Sequence, residues 1–252
     1  MKRLLFTGVV HPERAWLTLP KIDFPAVARG GIDIGSVSVS IVNSQIVVLI
    51  DVDNDDLDLL TIKNGIAHLV ERFVGVFDYL NGYCHSIDIA QCVLPSGEVV
   101  VFGVEHQVVS GRFAFSGDEY VGILNLTSGE EGLFIQQSIS DLSKAIKYPV
   151  DTAFYCFRAI ETLKQYFKKN CSEKEAWKML SRYVGKDREY SSVIRRFADN
   201  GRHGVHEDIS GAERDEIIQK AFEIVDTFIN KMAEEKKVAW RLIRDPNHPL
   251  NS

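Results

Sequence analysis

The stretch Ile194-Arg195-Arg196-Phe197-Ala198-Asp199-Asn200-Gly201-Arg202-His203-Gly204-Val205-His206-Glu207-Asp208 gathers side chains suited to acid–base and phosphate chemistry. Cutting RNA without a metal needs a base for the 2′-hydroxyl proton, and imidazole is poised for that near neutral pH. It also needs cations to steady charge building on the phosphate, where arginine's planar fork excels. In this reading His203, or else His206, is the base, and Arg196 and Arg202 hold the scissile phosphate. Gly201 and Gly204 bracket Arg202 and His203, so a tight backbone turn could present both outward. Arg195, with Arg182, Lys186 and Arg188 upstream, would extend an RNA-binding field. His203 and His206 with Glu207 or Asp208 could in principle ligate a metal. The i,i+3 pair with no third histidine nearby is a poor zinc set, so no metal and no cofactor is expected. The plainer account is a surface loop whose basic residues serve helix ends and carboxylates such as Asp199 and Asp208.

Other chemical candidates are weaker. Asp51-Val52-Asp53-Asn54-Asp55-Asp56-Leu57-Asp58 begins like a calcium loop. It has Asp56 where glycine is needed and Ile62 where the bidentate glutamate belongs. A strand end followed by a helix with an acidic first turn explains it better. Gly30-Gly31-Ile32-Asp33-Ile34-Gly35 lacks the spacing and the following helix of a dinucleotide loop. Cys84 and His85 are neighbours, and on a strand they would face opposite ways, so ordinary packing is expected there. Cys84, Cys92, Cys156 and Cys171 show no metal-ligand cadence and are expected to be reduced.

The elements that must position these residues change character along the chain. Ile34, Val37, Val39 and Ile41 alternate with serines, and Gln45 to Val52 is a β-branched run after an Asn43-Ser44 turn. Ile87–Leu94 and Val99–Val104 form a second hairpin across Pro95-Ser96-Gly97-Glu98. Between the hairpins, Leu59, Ile62, Ile66, Leu69, Phe73 and Phe77 share one face of a helix over about 56–80. In the second half, Ala153, Phe157, Ile160, Leu163 and Phe167 mark a helix over 150–169. Capping boxes at Ser172 and Ser210 open two more. A fourth helix, near 187–199, is expected to stop at Asn200-Gly201. The fold class is therefore α+β: an N-terminal antiparallel sheet with one long helix, then an all-α four-helix-bundle-like domain. The expected division is 1–118 for recognition, 119–136 as linker, 137–240 helical, and 241–252 as tail.

Charge follows the same division. Residues 1–132 carry 8 Lys/Arg against 17 Asp/Glu, and residues 133–252 carry 21 against 18, inside a total of −6. Any surface meeting nucleic acid belongs on the second half. Met1-Lys2-Arg3 before Leu4-Leu5-Phe6 starts like a signal peptide, but His11-Pro12-Glu13-Arg14 interrupts it. No apolar run nears the roughly 18 residues of a membrane span, so a cytoplasmic protein with no membrane partner is expected.

The Arg196–His203 spacing, six intervening residues, resembles the HEPN family of helical-bundle proteins of bacterial toxin–antitoxin, anti-phage and RNA-processing systems. Their signature is an arginine, four to six residues, then a histidine near the start of a late helix. Phe197 stands where that family usually has a polar residue, and Arg202 to His206 leaves only three residues between. The opening helix Phe154-Tyr155-Cys156-Phe157-Arg158-Ala159-Ile160-Glu161 is similar too, and the resemblance spans about 137–235. It implies a metal-independent ribonuclease or RNA-binding effector, a homodimer with motif loops facing across the interface, and Glu161 as a supporting carboxylate. The rival expectation is a non-catalytic dimeric adaptor, its front domain recognising a protein or small molecule.

Overall fold

A computed structural model describes residues 2–27, 33–52, 59–103, 106–111, 117–168, 171–187, 189–202 and 209–236. The chain divides into two compact units, Met1–Gly103 and Val104–Ser252.

Among the described residues, the first unit is a six-stranded antiparallel sheet with one α-helix and a short 3-10 helix at Glu13–Ala15. The strands are β1 (Lys2–His11), β2 (Leu19–Val27), β3 (Asp33–Val42), β4 (Gln45–Val52), β5 (Ser86–Val93) and β6 (Val99–Val101), in the order β2-β3-β4-β1-β5-β6. Alternation sets the buried face: Leu4, Phe6 and Val10 of β1, Val37, Val39 and Ile41 of β3, and Ile46, Val48, Ile50 and Val52 of β4 all point inward. Helix α1 (Leu59–Asn81) turns Ile62, Ile66, Val70 and Val74 onto this core. Where β1 meets β5 the register shifts between Thr7 and Gly8, and a Cβ on Gly8 would lie 2.0 Å from the Asp88 carbonyl oxygen. Only glycine allows that approach. The edges are blunt, because β2 contains Pro20 and Pro25 and β6 has three residues.

The second unit contains α2 (Gly117–Leu126), α3 (Gly129–Lys147), α4 (Thr152–Phe167), α5 (Glu173–Val184), α6 (Ser192–Arg202) and α7 (Gly211–Glu235). Helix α4 is central and packs against α3, α5, α6 and α7. Its Ala153, Cys156, Ala159, Ile160 and Leu163 meet Ile217, Ala221, Ile224 and Phe228 of α7 in one core. Both expected capping boxes are formed, with Ser172 paired to Glu175 and Ser210 to Glu213.

The α+β class holds, and the structure adds detail. The unit boundary falls after Gly103, and the stretch 119–136, expected to be a linker, carries most of α2 and the first turns of α3. Leu126 and Ile135 anchor these helices in the core, although glycines and serines around them hide the pattern. Helix α6 also continues through Asn200 and Gly201 to Arg202, so the glycine is its last turn rather than its stop. No helix among the described residues is long and apolar enough to cross a membrane.

Candidate functional site on the sixth helix

Helix α6 is fixed by Ile194, Phe197 and Ala198, all buried in the core of the second unit. Arg195 and Arg196 fall off that stripe and are exposed, and Asp199 is half-buried at its border. With Glu189 and Ser192 they line an open cleft of about 500 Å3. Phe197, at the place where the resemblance called for a polar residue, is thus a core side chain. It also carries the Arg196 guanidinium 4.3 Å from its ring centroid.

The two arginines already face carboxylates. Arg195 Nε lies 3.4 Å from Asp199 one turn on. Arg196 Nη2 lies 3.5 Å from Glu213, whose other oxygen accepts the Ser210 backbone N–H at 3.0 Å and its hydroxyl at 2.7 Å. Those hydrogen bonds, reinforced by Arg196, hold the Glu213 carboxyl below the usual carboxylate range. Arg196 is therefore tied to the cap that starts α7.

The remaining candidates are dispersed. Lys186 sits 3.3 Å from Glu223 and 4.1 Å from the Tyr190 ring centroid, and Tyr190 donates its hydroxyl proton to the same carboxylate. Arg182 is exposed in the last turn of α5, where a cation complements the helix dipole. Glu161 is half-buried on α4 and is not among the described residues lining the cleft. Arg202 closes α6 by its backbone. Its side chain, His203, His206 and Arg188 lie outside the described residues. Among the described residues, no group of three histidine, cysteine or acidic side chains could hold a metal.

Sequence reasoning missed three polar constellations in this unit. Asp141, fully buried on α3, receives Arg158 of α4 in a two-pronged ion pair, Nε at 2.9 Å, and Gln137 at 3.2 Å. Arg214 donates to the Thr152 hydroxyl at 2.9 Å and to the carbonyl of Ile146 at 2.9 Å, closing the C-terminal end of α3. Beside it His106 places Nε2 3.4 Å from Asp215, while its buried Nδ1 has no partner among the described residues. The Arg158–Asp141, Arg214–Thr152 and His106–Asp215 pairs are separated by 17 to 109 positions, so only the fold reveals them.

In the first unit, Cys84 and His85 precede β5 rather than lying within it. His85 packs against Phe77 and Tyr83 as expected of an ordinary residue, and it is also bound to Asp78.

The fold and these sites define a class: a two-unit chain, a strand-rich front and a helical back, each with its own open cleft bordered by charged residues. Residues 4–102 match the family model described as the N-terminal domain of a domain of unknown function, DUF8168. Residues 120–233 match its C-terminal domain. The two matches fall on the two structural units in order. No curated protein and no solved structure matches the chain.

Proposed function

We propose that the helical unit is a HEPN-like module that acts on RNA, either as a metal-independent endoribonuclease or as an RNA-binding effector of a bacterial defence or toxin system. The observation that carries this reading is the geometry of α6. A core-anchored helix turns Arg195 and Arg196 onto an open cleft, and in the sequence His203 and His206 follow its last residue, Arg202. Arginine there would bind the phosphate, and His203 would take the 2′-hydroxyl proton. The protein would work as a cytoplasmic homodimer, with the acidic front unit recognising a partner or ligand.

A second reading has its own support. Arg195 and Arg196 each pair with a carboxylate, and Lys186 is held by Glu223. Cations so occupied favour a non-catalytic adaptor, in which the α6 surface is structural. Incubation of the full chain with total RNA, in the presence of a chelator, separates the two. Cleavage that disappears in folded His203→Ala supports the ribonuclease. Binding without cleavage supports the effector, and neither binding nor cleavage leaves the adaptor.

A further inference from the structure

The strand-bearing unit has a cleft of its own. It lies at the end of the β1–β5 ladder, where His11 pairs with Ser86, and its volume is about 570 Å3. His11, Glu13, Arg14, Cys84, His85 and Ser86 line it.

Asp78, near the end of α1, fixes one wall. Its carboxylate accepts the His85 backbone N–H at 2.7 Å and lies 2.5 Å from Nδ1 of the ring. Its backbone oxygen accepts the Tyr83 N–H at 3.0 Å, which locks the turn between them. Only 7% of the His85 side chain is exposed, with Phe77 and Tyr83 beside it. A ring so held has one orientation, and with Nδ1 committed to the carboxylate, Nε2 is the nitrogen left for a ligand. The other wall is supplied by the turn after β1. Arg14 there is exposed, and among the described residues neither it nor His11 forms an ion pair. In one concave place the Arg14 guanidinium, the His11 ring and the Ser86 hydroxyl can donate, while the Glu13 carboxylate and the lone pair of His85 Nε2 can accept.

We infer that this cleft binds a small polar molecule carrying one anionic group, a carboxylate or a phosphate, together with a hydrogen-bond donor. The anionic group meets Arg14 and His11, where charge-assisted hydrogen bonds are strongest. The donor meets Glu13 and the lone pair of His85 Nε2. The site is independent of the RNA chemistry proposed for the helical unit.

The test is a titration of the full-length chain with inorganic phosphate and, separately, with acetate. It is followed through the histidine ring C–H resonances, assigned with His11→Gln, His68→Gln and His85→Gln variants. His68 is exposed on α1 and away from the cleft lining, so it reports general salt effects. At least one anion should move the His11 and His85 signals saturably, with a dissociation constant on the order of 1 mM, as ions this small bind. Arg14→Gln, with an unchanged amide spectrum, should weaken that binding about tenfold. Glu13→Gln should tighten phosphate binding by removing a like charge. The inference is overturned if neither anion moves both signals, or if His68 moves in parallel. It is also overturned if affinity is unchanged in Arg14→Gln, or if Glu13→Gln weakens phosphate.

Discussion

The two units solve the problem of polar groups in opposite ways. The described buried core of the sheet unit is apolar apart from Ser44, whose hydroxyl accepts the Leu17 N–H at 3.0 Å. The helical unit buries Asp141, Lys164 and Asp226, and the first two are paired with groups on neighbouring elements. Lys164 of α4 donates to Glu173 at the start of α5, which Lys168 also reaches at 2.8 Å, and the two lysines pull the Glu173 carboxyl down to about 2. The clefts differ in the reverse sense: the α6 arginines are occupied by carboxylates, whereas Arg14 has no carboxylate partner among the described residues. Ion pairs thus fix helix neighbours inside the second unit, while in the first unit Arg3 pairs with Asp51 and Lys21 with Asp23 at the exposed surface of the sheet.

Breaking a buried pair is the strongest way to test this contrast. Arg158→Met strips Asp141 of its main partner and leaves Lys144, 3.8 Å away, and Gln137 as incomplete substitutes. A buried carboxylate deprived of its cation costs about 3 kcal/mol or more, to be read in urea unfolding of the helical unit. Asp141→Leu combined with Arg158→Met should recover most of it, because no charge then stays buried. A full loss in the double variant would show that the pair acts through packing instead.

Two glycines extend the comparison at smaller scale. A Cβ on Gly132 would lie 2.3 Å from the Thr127 carbonyl carbon, and one on Gly8 would press on the Asp88 oxygen of the neighbouring strand. Each alanine should cost about 2 kcal/mol through backbone displacement. Gly8→Ala should lower the unfolding of the sheet unit and Gly132→Ala that of the helical unit, each sparing the other. A common shift in both would mean that the units unfold as one.

The helical unit should also be the more acid-sensitive of the two through His106. Burial, reinforced by Arg214, lowers the pKa of this imidazole from its ordinary 6.5, against the opposing pull of Asp215. Because the folded value is depressed, its contribution is complete above about 6.5 and is lost as pH falls toward the folded pKa. Unfolding midpoints followed through this window should drop for the wild type and flatten in His106→Gln. Parallel slopes would remove His106 from the account.

The contrast also explains what the sequence could reveal. Helices α1, α4 and α7 and strands β3 to β5 bury apolar residues at a regular period, so pattern alone locates them. Helix α3 buries Gly132, Ser138 and Asp141 as well as Ile135, Leu142 and Ala145, and half of its inward face therefore reads as polar. Helix α2 exposes Tyr120, Val121 and Leu124 while burying Leu126, which blurs its inward face. Strand β2 hides behind two prolines that only an edge tolerates. The buried stripe Ile194, Phe197 and Ala198, which leaves Arg195 and Arg196 exposed, is too short for its period to stand out among the charged residues around it. The carboxylate partners of these arginines were only half legible: Asp199 is a turn away, whereas Glu213 is reached through another helix.

Arg196 gives the smallest expected change in stability and the sharpest choice between functions. Its side chain is 61% exposed, and its contact with Glu213 is solvated, so an isolated pair of this kind holds little folding energy. The capping box at Ser210 retains its own hydrogen bonds without it. Arg196→Ala should therefore leave the urea midpoint unchanged. If the α6 cleft binds a scissile phosphate, the same variant should lower RNA cleavage about a hundredfold, the usual effect of removing one preorganised donor. Arg195→Ala, whose partner lies on its own helix, should lower RNA affinity and its salt dependence with a smaller effect on the chemical step. Equal RNA behaviour of the wild type and both variants would assign the arginines to helix caps and surface pairs, and the helical unit to the adaptor reading.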